Sequence, residues 1–274
     1  MVSRGIELDT AGLRNIETPY APRIKWERSR KFEVKNGVVI IFSDPHFYPD
    51  GNTAAIDSLI TLCHDLKPKA VLCGGDALDG TQISRFDPTR GWHQPPTLKE
   101  QLECVTESMD RIKSAAKGAI TAMTFGNHDA RLSRYLAVNA PAVEDLPGTR
   151  LEDYIPAWPL SWTIELAGKI PTVIRHRNLS GMLHLQAMRA GCHYVHGHLH
   201  KLNVHAAPQY GRFVYSVDAG SFSDPQSDAF DYTEDGPPHV QGFVVLTYKD
   251  GELLWPEVVN IRDGKAYFRG GVIT

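Results

Sequence analysis

The chain lacks any long hydrophobic run. Across its 274 residues nothing approaches the roughly 18 consecutive apolar residues that a spanning helix needs. The opening MVSRGIELDT is too polar for the apolar segment of a secretory signal. A cytoplasmic protein with no membrane partner is the expectation. Cysteine is scarce, and Cys63, Cys73, Cys104 and Cys192 have no close paired spacing, which excludes a zinc ribbon or a disulfide framework. Charge of one sign is also missing: 29 Lys and Arg against 32 Asp and Glu leave a formal net charge of −3, so no global field pulls the chain toward nucleic acid or an anionic surface. With no fixed-period repeat and no low-complexity tract, and with 42% hydrophobic and 22% charged residues, the composition is that of a globular protein. The length suits one large layered α/β domain.

Charge does concentrate locally. Arg23, Lys25, Arg28, Arg30, Lys31 and Lys35 outnumber Glu27 and Glu33 in one stretch, with Trp26 and Phe32 interleaved. A solvated amphipathic edge strand explains this pattern, and a strip facing nucleic acid is the sharper alternative. In the opposite sense, residues 218–238 carry Asp218, Asp224, Asp228, Asp231, Glu234 and Asp235 without one Lys or Arg, which predicts a long exposed loop.

Buried strands are legible where apolar residues run continuously. Val38 to Phe42, Ala70 to Cys73, Ala119 to Phe125 and Thr172 to His176 have the pattern of strands covered on both faces. Asn52 to Lys67 has helical spacing between the first two, with Asn52 as N-cap and Pro68 as stop. Thr97 to Lys117 is a second long helix and Leu179 to Ala190 a third. After residue 200 the pattern becomes short runs, at Arg212 to Tyr215, Gly242 to Leu246 and Ala266 to Phe268, broken by turn signals. These predict an antiparallel sheet packed against the first as a sandwich flanked by helices.

Metal-type donors follow these strands. Asp44 and His46 lie just past the first, Asp76 follows the second behind Gly75, and Gly126-Asn127-His128-Asp129 follows the third. His198 and His200 follow a further short strand, where His193 and His196 compete for the same role. In open α/β sheets ligands bind beyond the carboxyl ends of the strands. Carboxylate, amide and imidazole donors suit ions such as Mn, Fe, Zn or Ni. Asp76 has two oxygens to share between ions, Asp79 reads as a turn or supporting residue, and Asp129 beside His128 favours the imidazolium of a general acid.

Together these blocks resemble the calcineurin-like metallophosphoesterases: Asp-x-His, Gly-Asp-x-x-Asp, Gly-Asn-His-Asp, a lone His after a strand, and Gly-His-x-His, over about residues 38–221. Asp218-Ala219-Gly220-Ser221 looks like the family's Asn-Pro-Gly-Ser turn with two substitutions. The resemblance implies an α/β fold, a four-layer αββα sandwich with a two-metal site at the strand carboxyl ends. Residues 37–274 would form the metallophosphoesterase domain and residues 1–36 an extension packed on it. It implies one ion on Asp44, His46, Asp76 and His200 and another on Asp76, Asn127, His176 and His198, with His184 as the competitor for His176. Manganese is the first expectation for both ions, with iron, zinc or nickel as alternatives. A hydroxide between the ions would attack phosphorus, and His128, oriented by Asp129, would protonate the leaving oxygen.

Gly80 and Asp129 stand where the family's protein serine/threonine phosphatases carry Arg and Glu, which favours a phosphodiesterase over a phosphoprotein phosphatase. Arg131, Arg134, Arg175 and Arg177 are candidates to bind phosphate, Arg131 first among them. Gly-Asn-His-Asp-x-Arg is also similar to metallophosphoesterases encoded in phages and prophages. The expected partner is therefore a phosphoester substrate, with nucleic acid as one alternative through a nuclease activity. A catalytically inactive binding module is the rival from another class, disfavoured by the complete donor set.

Overall fold

The computed structural model describes residues 26–49, 51, 53–85, 95–143, 146–231 and 238–273. Among the described residues, fifteen strands fall into two sheets. The larger is built around β2 (Gly37–Phe42), β3 (Ala70–Cys73), β4 (Ile120–Thr124) and β5 (Leu160–Ser161), all parallel. The smaller has the order β1 (Ser29–Glu33), β6 (Thr163–Ala167), β7 (Thr172–Arg175), β8 (His193–His196), β10 (Arg212–Asp218) and β9 (Asn203–Gln209).

The remaining strands correct the expected split between the two halves of the chain. β11 (Gly242–Lys249) pairs antiparallel with β2, and β12 (Glu252–Leu253), β13 (Glu257–Arg262), β14 (Lys265–Phe268) and β15 (Gly271–Val272) extend the larger sheet from there. The physical reason lies in β11 itself. Its first five residues, Gly242 to Leu246, are all buried; a strand without a wet face belongs inside a sheet covered on both sides. The second sheet is instead made from the middle of the chain.

Alternation along each strand makes the layers. In β2, Ile40 and Phe42 face α1 (Thr53–Leu66) and α2 (Leu98–Ala115), joining Ile56, Leu59, Val105 and Met109 in one cluster. Val39 and Ile41 face the other way and meet Ile164, Leu166, Ile174, Val195 and Val217 between the sheets. On the far side Ala187, from a helix over Leu183–Ala190, packs on Tyr194, Ala207 and Val214. The order is helix, sheet, sheet, helix, the αββα sandwich. Burying a side chain such as Leu59, fully enclosed here, contributes about 1.5–3 kcal/mol. Helix α2 starts on a capping box in which the Thr97 hydroxyl accepts from the Glu100 N–H and the Glu100 carboxylate accepts from the Thr97 N–H.

Three local expectations change. The helix expected from Leu179 begins at Leu183, because the Gln186 side chain accepts the N–H groups of both Leu179 and Ser180 and holds them in a loop. The acidic stretch after Asp218 is only partly the expected exposed loop: Gln226, Asp228 and Asp231 are exposed, whereas Asp218, Ser221, Phe222, Ser223 and Phe230 are buried; Glu234 and Asp235 lie outside the described residues. Asn52, the expected N-cap, also lies outside them. Before residue 37, Trp26 stacks on Phe125 with ring centroids 4.2 Å apart and meets Trp162 edge-on, while β1 pairs in parallel with β6. Among the described residues no helix is long and apolar enough to cross a membrane.

Candidate metal centre

Five strand ends converge, from β2, β3 and β4 of one sheet and the adjacent β7 and β8 of the other. The turns that follow are sharp. Asp44, His46, Asp76, His198 and His200 have φ values of 53°, 38°, 55°, 70° and 58°, in the left-handed region that costs an ordinary residue about 1–2 kcal/mol. Backbone bonds between the loops hold them there: Asp44 N–H donates to the Gly75 carbonyl and His46 N–H to the Asp76 carbonyl, each at 3.0 Å. Phe222 and Ser223, after the Asp218 turn, donate to the carbonyls of Ser43 and Asp44. Two motif glycines are set by close approach. A Cβ on Gly197 would overlap Ser43 Oγ and Asp44 Oδ2, and one on Gly126 would overlap the Asp76 carboxylate.

The donors gather into two sets. Asp44, His46 and His200 present ligand atoms within 4.8 Å of one another, as do Asp76, His176 and His198, and Asp76 also groups with His46 and His128. Asn127 Oδ1 lies 3.1 Å from His176 Nε2. The rings are fixed from behind. His46 Nδ1 faces Asp79 Oδ1 at 3.1 Å, and His46 Nε2 is buried without a hydrogen-bond partner among the described residues, as is His200 Nδ1. His176 Nδ1 faces the Gly74 carbonyl at 3.0 Å, which turns Nε2 toward Asp76 Oδ2 at 3.2 Å. A buried nitrogen left unpaired costs about 1–3 kcal/mol, and a histidine backed by a carboxylate or carbonyl is how metal-binding rings are oriented. The residues fit a pair of divalent cations.

Electrostatics make the same demand. Burial alone would raise the Asp76 carboxyl, but the rings of His176 and His128 outweigh it and hold the group well below its ordinary value. Asp44 is likewise lowered against its burial by His200 and His176. Conversely, burial disfavours a charged His176, yet Asp76 and Asp44 push its pKa up to about 10. The His176 proton sits where the carboxylates favour positive charge. A charged ring is no ligand, so metal binding through His176 would release about one proton below about pH 10 and would strengthen as pH rises toward that value. Calorimetry of metal binding in buffers of different ionisation enthalpy measures that proton; no release at about pH 7 would contradict it.

Around His128 the geometry revises one expected role. The Asp129 carboxylate does not orient His128; it accepts the N–H groups of Asp76, Ala77, Leu78 and Gly126 at 2.8–3.2 Å. Burial and the neighbouring Asp76 push its pKa up to about 7, and its oxygens are taken up in tying the second motif loop to the third. His128 Nδ1 instead faces Asp79, 3.2 Å from its Oδ1 and 3.0 Å from its carbonyl. The same Oδ1 backs His46, so Asp79 links a metal donor to the candidate acid. Spacing in Gly-Asp-x-x-Asp was the available signal, but only the left-handed turn at Asp76 shows which way Asp79 points. Burial lowers the His128 pKa, and the carboxylates of Asp76 and Asp79 more than restore it. Arg131, on α3 (Ala130–Asn139), donates to the Asp79 carbonyl and places Nη2 3.1 Å from His128 Nε2. Gly80 leaves it room: a Cβ there would lie 3.2 Å from Arg131 Cδ.

The competing histidines stand elsewhere. His184 is exposed, facing His205 at 5.8 Å. His193 accepts the Tyr215 N–H and stacks on that ring, and His196 Nδ1 lies 2.7 Å from the Gly197 carbonyl. His239 was missed by sequence reading; its ring is 4.0 Å from that of His200. Arg134, Arg175 and Arg177 are exposed. In the basic stretch, Arg30 pairs with Glu27, Lys31 with Glu165 at 2.7 Å and Lys35 with Glu33 at 3.4 Å, the habit of a solvated edge strand. Arg23 and Lys25 lie outside the described residues.

Fold and donors define a class in outline: a double-sheet αββα sandwich whose strand ends bring together Asp and His side chains that could hold divalent metal ions. The chain belongs to the calcineurin-like phosphoesterase family, whose model matches residues 37–208, and it is accordingly a hydrolase of phosphoester bonds. Similar solved structures include the phosphoesterase Yfce from E. coli, 14% identical with TM-score 0.40, covering 80% of this chain and 97% of that one. A 5'-nucleotidase precursor from Thermus thermophilus is 15% identical with TM-score 0.39, over 81% of this chain and 54% of that one. The nuclease MPE of Pseudomonas putida is 13% identical with TM-score 0.35, over 80% and 86%. No curated protein matches the sequence.

Proposed function

We propose that the chain is a phosphodiesterase in which His128 acts as the acid and Arg131 binds the phosphate. Asp44, His46, Asp76 and His200 would hold one divalent ion, and Asp76, Asn127, His176 and His198 the other. Bound there, the ions would polarise the phosphoryl oxygens and make water a nucleophile near neutral pH. The observation that carries the diester reading is the Gly80–Arg131 exchange. Position 80 offers no side chain, and among the described residues one guanidinium, from α3, occupies the space beside His128. One such cation matches the single negative charge of a diester better than the dianion of a monoester.

Arg131 has a second effect on the reaction. Guanidinium only donates, so its contact with His128 Nε2 uses that nitrogen's lone pair and opposes the protonation that Asp76 and Asp79 favour. An incoming phosphate is the stronger acceptor and draws the guanidinium away. Nε2 then takes a proton from solvent and passes it to the departing alkoxide, while Nδ1 stays on Asp79.

With manganese supplied, kcat/KM is expected to favour bis(p-nitrophenyl) phosphate over p-nitrophenyl phosphate by about tenfold or more, a difference of ~1.4 kcal/mol. Arg131→Ala should raise KM about tenfold for the diester, since its charge-assisted contact is made to the ground-state phosphate. A preference for the monoester in the wild type would overturn the assignment.

A further inference from the structure

The centre leaves one of the sequence's candidate histidines unused. His184 sits on the helix over Leu183–Ala190 and His205 on β9; both are exposed, and their rings meet with centroids 5.8 Å apart and planes inclined by 63°. Two pairs gathered at the strand ends have nearly the same arrangement. His46 and His200 lie 5.5 Å apart at 62°, and His176 and His198 lie 5.1 Å apart at 68°.

The scaffold beneath the rings is fixed. Ala187 and Ala207 share one buried cluster between the helix and the sheet. His184 stands one helical turn before Ala187, and His205 two residues before Ala207 on the same face of its strand. Across the ladder from His205 is Ser216, whose hydroxyl accepts the Ala187 N–H at 2.8 Å, so helix and strand are tied directly under the pair. Among the described residues neither ring has a hydrogen-bond or ion-pair partner, which leaves their nitrogens available. Nor does a third His, Cys, Asp or Glu donor among them complete a group of three with the pair.

Two imidazoles without a carboxylate make an all-nitrogen donor set, with water left to fill the other positions on an ion. Imidazole suits copper, nickel and zinc, whereas manganese, magnesium and calcium depend on oxygen donors, and affinity rises along the first row from manganese to copper. We infer that His184 and His205 form a separate surface site for one divalent ion of the copper, nickel or zinc type, a site that manganese does not fill.

Metal counting in tag-free protein tests this, by equilibrium dialysis against Ni²⁺ or Mn²⁺ followed by elemental analysis. His184→Ala and His205→Ala should each lower bound nickel by about one ion per chain, because one imidazole alone holds such an ion weakly. Bound manganese, manganese-supported turnover and the circular dichroism spectrum should stay as in the wild type. The same loss of nickel is expected when either substitution is added to Asp76→Ala, so the outcome is independent of the strand-end centre. Undiminished nickel in both variants would overturn the proposal, as would a loss in one variant and not the other. An equal loss of manganese would also overturn it, since the pair would then lack the selectivity its nitrogen donors require.

Discussion

Replacing Asp76 by alanine is expected to lower turnover by at least about 10³-fold and to drop the bound divalent metal from about two ions per chain to fewer than one. Loss of a residue that merely supports a ligand typically costs about 10–100-fold in metal affinity or activity, and Asp76 stands ahead of that tier. Its carboxylate belongs to both the His46–His128 and the His176–His198 groups, and its Oδ1 accepts the His128 N–H at 2.8 Å. Removing it takes away the largest carboxylate charge acting on both His176 and His128. Elemental analysis by mass spectrometry reports the metal and circular dichroism the fold. A folded variant that keeps two ions and near-normal turnover would end the shared-carboxylate assignment.

The second large effect separates chemistry from metal binding. His128→Ala should keep its metal content while kcat falls about 10²–10⁴-fold, the usual contribution of a general acid. The loss should be larger for an alkyl ester than for a nitrophenyl ester, whose leaving group departs without a proton. Asp79→Asn provides the internal comparison. Both His46 and His128 rest on the carboxylate it removes, so that variant should lose metal affinity and activity together and shift the alkaline limb of the pH–rate profile, set by the His128 acid, to lower pH. Hydrolysis of an alkyl diester at the wild-type rate in His128→Ala would take this ring out of the mechanism.

Much of this is legible in the amino-acid sequence itself. β2, β3 and β4 are covered on both faces, and continuous apolar runs with donors at their ends identify them and the centre together. Where a strand is half wet or very short, as in β9 with Pro208 on its edge or the two-residue β5, no such run exists. β11 has the buried pattern, yet its partner is β2 rather than its neighbours in sequence, because composition shows burial and not the partner. The donors are readable from spacing; the direction of Asp79 and Asp129 is not. Asp79 follows a left-handed turn at Asp76 and Asp129 turns back onto the N–H groups of that loop, which sequence patterns do not announce. His239 escapes because its relation to His200 is made by chain return, well beyond the Gly-His-x-His block, and no motif contains it.

The cross-stitched turns at the centre have a further implication for how the protein acquires its ions. Asp44 and His46 are bonded through their backbone to the loop of Asp76, and Asp129 ties that loop to Gly126, so the candidate donor atoms are placed by the protein's own backbone contacts. Uptake then requires little ordering of the chain, unlike small zinc domains that fold only around their metal. Such a rigid socket of mixed oxygen and nitrogen donors discriminates weakly among first-row ions. Which ion works there follows from what the surroundings provide, and exchanging one for another would change the rate while leaving the architecture in place.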